Sequence, residues 1–155
     1  MADTVKRDEM AKDDDQLTPP PGSDYEVPFS YHSDLQLERA YDKAAHWVKA
    51  GVRPNQVFME NRSMGVINFR KVMRDPLLIQ AAGVERMIDF RCSLTLSETD
   101  VDVVFSSVCY YEAGGEPKYI DAYDPELGSI KEVLNMVSNN LFQYLQKPLI
   151  HVEKK

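Results

Sequence analysis

The segment Ser97-Glu98-Thr99-Asp100 joins two runs of alternating side chains, and no other part of the chain restricts the fold as strongly. Before it, Ile88, Phe90, Cys92, Leu94 and Leu96 recur at every second position; after it, Val101, Val103, Phe105, Cys109 and Tyr111 do, with Ser107 as the exception. Strand side chains alternate between two faces, so pairing Leu96 with Val101 gathers the whole set on one face, and a slip of one residue would put half of it in water. An antiparallel pair of fixed register is therefore expected. That register sets Cys92 opposite Phe105 and Cys109 opposite Ile88, farther apart than the about 7 Å of Cα separation that a disulfide tolerates. Both cysteines read as separate buried thiols, since free cysteine behaves as a small hydrophobe. The reverse face carries Asp89, Arg91, Ser93, Thr95, Asp102 and Ser106, with Val104, Val108 and Tyr110 as an apolar row.

Around this pair the periodicity switches between 2 and 3.6. Tyr25, Val27, Phe29 and Tyr31 alternate, and Pro28, which cannot donate to a ladder, confines their strand to an edge or its own start. Leu37, Tyr41, Ala44, Ala45 and Val48 share one helical face with Trp47 at its margin; Ser33 and Gln36 read as a capping box and Gly51 as the stop. Strands follow at 55–60 and 64–71 around the turn Asn61-Arg62-Ser63, with Ile67 and Phe69 facing one way and Asn68 and Arg70 the other. Asp75-Pro76 before Leu77-Leu78-Ile79 and Gly83 after them predict a short helix over 76–82. Gly114-Gly115 turns the chain, and 118–123 allows one more short strand. A long C-terminal helix has Ser129 and Glu132 as a capping box and Ile130, Val133, Leu134, Val137, Leu141 and Leu145 as its stripe. This order predicts an α+β domain: a curved antiparallel sheet of about five strands, covered on one face by two amphipathic helices.

The domain so defined spans residues 25–150, with 151–155 as a fraying end. Residues 1–24 have no apolar period, and with Asp13-Asp14-Asp15 and Pro19-Pro20-Pro21 they read as a disordered acidic and Pro-rich leader. The 155-residue chain carries a net charge of −7. Most of it lies in residues 1–34, where nine acids stand against three bases, so the domain itself is near neutral. Residues 62–91 hold six bases against three acids, a modest excess that a solvated strand surface explains. Strong phosphate recognition needs far more positive charge, and a pI near 4.9 argues against a nucleic-acid partner. No apolar run approaches the roughly 20 residues of a membrane-spanning helix.

Motifs for chemistry are sparse. His32, His46 and His151 lie far apart without ligand spacing, and His46 with Asp42 reads as a surface pair, since zinc takes three or four ligands. No Gly-rich phosphate loop, Gly-x-Ser-x-Gly elbow or His-Glu-x-x-His occurs. Neither a metal nor a cofactor is expected, and the chain reads as a non-enzyme.

Tyr41 to Val48 in the first helix, Met59 to Ile67 around the first hairpin, and the strand pair Met87–Leu96 with Val101–Val108 together resemble a bacterial domain family of unknown function. That family has a TATA-box-binding-protein-like fold and occurs in small exported and lipid-anchored proteins. The resemblance covers about residues 26–146 and implies no catalytic residues. It implies a place in the bacterial envelope or periplasm, with a lipid tether where an N-terminal export segment has been removed. With Met1 as the natural start, the expectation is the cytoplasm.

The expected function is a non-catalytic binding or assembly module with protein partners, a subunit of a bacterial envelope complex or an exported accessory protein. The alternative is a small-molecule or lipid carrier, its ligand between sheet and helices in a cavity lined by Phe58, Phe90, Phe105 and Leu134. Three consecutive apolar residues cannot all be hidden by one helical turn, so Leu77 and Leu78 form a candidate contact, rimmed by Arg74 and Arg86. Val104, Val108 and Tyr110 on the open sheet face are the second candidate surface.

Overall fold

The computed structural model describes residues 25–77, 85–112 and 114–146. Among these residues six antiparallel strands form one sheet: β1 Val27–His32, β2 Val57–Asn61, β3 Val66–Arg74, β4 Arg86–Leu96, β5 Asp100–Glu112 and β6 Lys118–Tyr119. Helix α1 is Leu37–Gly51 and helix α2 is Leu127–Gln146. The strand order is β1-β5-β4-β3-β2, and the short β6 pairs with β5 beyond the end of β1. Both helices pack on one face and the other stays open, the expected α+β arrangement. The leader 1–24, the helix expected over 76–82 from Leu78 onward, and 147–155 lie outside the described residues.

The central pairing is the one the alternation predicts as far as Arg91, with Leu96 opposite Val101 and Cys92 opposite Phe105. It then shifts by one residue. Ser107 adopts a left-handed backbone (φ 50°) and forms a bulge, so that Cys109 lies opposite Asp89 and Tyr110 opposite Ile88. An inserted residue reverses the alternation for everything after it. Val108, expected on the open face, is buried under the helices; Cys109, expected opposite Ile88, turns outward with Tyr111. Both thiols are nevertheless free and buried, as expected.

The core is filled by aromatic packing. Phe90 and Phe105 meet edge to face at 5.1 Å, and Phe29 adds a second edge contact to Phe105 at 5.9 Å. Leu134 is also fully buried, while Phe58 sits on the opposite face of the sheet. These four residues therefore enclose no common cavity, which removes the ligand position expected for a carrier.

The helix ends are held differently from the expected boxes. Gln36 is the N-cap of α1 with no side-chain bond, and Ser33 Oγ instead accepts the Leu35 N–H at 3.3 Å. Gly51 is the last residue of α1, not a left-handed stop beyond it; the Lys71 ammonium donates to its carbonyl, supplying a partner for an orphan acceptor. Ser129 lies inside α2, whose start is fixed by Asp124 accepting the Glu126 N–H at 2.7 Å. Across the two helices, Lys43 reaches the Leu145 carbonyl at 3.1 Å and Trp47 Nε1 donates to Asn140 at 2.8 Å.

Gly65 closes the β2–β3 turn with φ 71°, and its carbonyl accepts the Leu96 N–H at 2.7 Å. A Cβ at this position would stand 2.3 Å from the Leu96 carbonyl oxygen. Gly65→Ala therefore meets both a disfavoured φ and a backbone clash, and is expected to cost more than about 2 kcal/mol in urea unfolding, beyond the usual penalty of a single strained φ. A cost under about 0.5 kcal/mol would contradict this turn.

Candidate functional site

The sequence places Arg74, Leu77, Leu78 and Arg86 together as a contact element; the structure separates them. Leu77 is 41% exposed, and its N–H donates to Asp75 Oδ1 at 2.8 Å. Arg74 is exposed beside Glu85 at 3.6 Å, and Leu78 lies outside the described residues. Arg86 is not a solvated rim. It points under the helices and binds Asp75 Oδ2 through Nε and Nη2 at 2.9 and 2.6 Å, Glu126 at 2.7 Å and Ser129 at 3.1 Å. Its guanidinium also lies 5.1 Å from the Tyr110 ring. Burial opposes the Arg86 charge, yet the hydrogen bonds it donates to Glu126 and Asp75 outweigh that and hold its pKa above the usual range.

Tyr110 belongs to the same buried group. The bulge turns it inward, and its hydroxyl donates to Asp124 at 3.0 Å. Of the row Val104, Val108 and Tyr110, only Val104 stays on the open face, half-buried. The cluster of Arg86, Asp75, Glu126, Tyr110 and Asp124 thus ties the end of β3, the start of β4, β5 and the start of α2 into one unit, an architectural role.

The open face shows a stripe that sequence reasoning missed. Phe58 bulges from β2, and Arg91 of β4 covers its ring at 5.1 Å. Next to them, Met59 takes the Asn68 amide N–H on its sulfur at 3.6 Å, and Asn68 Oδ1 is buried without a hydrogen-bond partner. Arg70 grips Asp89 with two bonds of 2.9 and 2.5 Å, and Val72 lies beyond it. Phe58, Met59 and Val72 are 38%, 41% and 42% exposed, so three apolar side chains stand in water around the cross-strand pair Arg70 and Arg91. Farther along the same face Cys109 is covered, and burial, with the Asp89 charge, pushes its thiol up to about 12. The only sequence signal was the irregular 55–60 strand, whose alternation breaks at Phe58.

The architecture defines a class before any comparison: an open antiparallel sheet with two helices on one face. A DUF4468 family protein from Bacteroides ovatus superposes on it with a TM-score of 0.60 at 9% identity, covering 84% of this chain and 91% of that one. A TBP-like protein from Parabacteroides distasonis gives 0.62 at 10% identity, covering 83% and 97%. At such identities the likeness concerns the fold, which is TBP-like, as the resemblance implied. No protein-family model and no curated protein sequence matches the chain.

Two outcomes check the buried cluster. Arg86→Met leaves Asp75 buried and without its cation, and is expected to cost about 3–5 kcal/mol, whereas Glu126→Gln, at the solvent edge, should cost under about 1 kcal/mol. Urea unfolding measures both. Burial, then the bond to Asp124, push the Tyr110 phenol up to about 12, above its ordinary value near 10. This group's contribution is complete below pH 10 and is lost as pH rises through about 12. Wild type should therefore lose stability over that range relative to Tyr110→Phe; parallel pH profiles would contradict it.

Proposed function

We propose that this chain is a non-catalytic protein-binding module, a subunit of a bacterial envelope complex, which docks its partner on the open sheet face beside β2. The observation that carries this reading is the stripe of Phe58, Met59, Arg91, Arg70 and Val72. Interface centres are enriched in aromatic residues, methionine and arginine, and this stripe combines all three on a face that neither α1 nor α2 covers. Apolar side chains exposed together on a soluble face lower their free energy by burial, at about 25 cal/mol per Å². The paired charges beside them fix register more than they add affinity. The envelope assignment is what the resemblance of Tyr41 to Val48, Met59 to Ile67 and the central strand pair to a family of exported and lipid-anchored proteins implies.

The test is affinity capture from the source bacterium with wild type and with Phe58→Ser/Val72→Ser. Both changes are on the open face, so the variant should keep its melting temperature within about 3 °C. A partner held by wild type and lost, or weakened at least tenfold, with the variant supports the assignment. A partner held equally by both would place the contact elsewhere.

A further inference from the structure

On the helix side, the C-terminal half of α1 and the middle of α2 diverge over the end of β3 and leave a groove of about 480 Å³. Its walls are apolar: Trp47 and Ala50 on α1, Val133, Met136 and Val137 on α2, and Met73 on the floor. Met136 is 45% exposed there. The size lies within the roughly 300–1,000 Å³ of small-ligand sites.

At one end the character changes. Gly51, Val52 and Lys71 also line a second cavity of about 280 Å³, which continues past Arg53, Gln56 and Arg70 at the stretch of β3 that β2 does not reach. Among the described residues no acid lines it. Arg70 is neutralised by Asp89, but Arg53 has no carboxylate partner among the described residues. Among the described residues Lys71 donates only to the Gly51 carbonyl, which leaves two of its three N–H donors. An apolar trough thus runs into a cationic, donor-rich pocket.

We propose that these joined cavities bind a single-chain anionic amphiphile, its hydrocarbon chain along the trough and its head between Arg53 and Lys71. The trough matches one alkyl chain in having apolar walls on two helices and a floor on one strand. The cationic end selects against neutral and cationic heads. A carboxylate and a phosphate monoester share this chemistry. The trough lies on the helix side, whereas its cationic end is also lined by Arg70 and Val72 of the open-face stripe, so Arg53 and Val137, which lie outside that stripe, are the positions that separate amphiphile binding from partner docking.

Trp47 is the chain's single tryptophan and lines the trough, so its emission reports occupancy directly. The full chain is titrated with dodecanoate and with dodecyl phosphate below their micelle concentrations, and with dodecan-1-ol and dodecyltrimethylammonium as controls. A saturable emission change with either anionic probe is expected, and the tighter of the two identifies the head. Decanoate should bind about tenfold more weakly than dodecanoate, as two fewer buried methylenes require. Arg53→Gln, at an exposed position, should weaken binding roughly fivefold with unchanged melting temperature. Val137→Phe, which narrows the trough, should weaken every anionic probe alike. No saturable change, equal binding of dodecan-1-ol, or an Arg53→Gln protein that binds like wild type would each overturn the proposal.

Discussion

One extra residue in β5 decides which way half of the molecule faces. Up to Ser106 the strand sends Val101, Val103 and Phe105 to the helices. Past Ser107 a regular strand would send Cys109 and Tyr111 there and leave Val108 and Tyr110 in water. The left-handed turn at Ser107 exchanges the two sets. Val108 then completes the apolar core, and Tyr110 brings its hydroxyl to Asp124, the residue from which α2 starts. The placement of the second helix on the sheet depends on that exchange. A non-glycine residue at positive φ is uncommon and persists only where its surroundings over-determine it, as the β4 pairing before and after the bulge does here.

The polar cluster under α2 works by a different kind of constraint. A fully buried Asp75 is costly to desolvate, and its bonds to Arg86 and to the Leu77 N–H leave few arrangements that satisfy it. Such a group adds little net stability compared with apolar packing, but a displaced partner would leave a charge unpaired. Orientation follows from this. Glu126 and Ser129 can meet Arg86 only when the first turn of α2 lies over the β4 start.

Much of the fold could be read from the chain because its core strands alternate strictly and the buried stripes of both helices recur at helical spacing. The Leu96 to Val101 register, the edge position forced by Pro28 and the two free cysteines all followed from that regularity. What escaped were places where a local irregularity had no signature of its own. Ser107 stood out in the pattern as a single exception, and an exception reads equally well as a tolerated polar residue or as a bulge. Arg86 was misplaced because an arginine in sequence implies a solvated charge; only the approach of Asp75, Glu126 and Tyr110 makes its burial affordable. Both capping boxes failed for a related reason, since Ser33 and Ser129 found other partners once the chain had folded. The exposed stripe and the helix groove arise where elements end or diverge, and element ends are weakly encoded.

The two outer strands have a consequence for how this sheet behaves in a crowded compartment. A sheet open on one face and unclosed at both sides would ordinarily recruit further strands, its own copies included, and grow without limit. Here β1 offers Pro28 in place of a donor, and the bulge at Phe58 breaks the regular spacing of β2. Neither rim is a good template for an incoming strand. The molecule can therefore hold a broad face uncovered while remaining a poor seed for its own polymerisation.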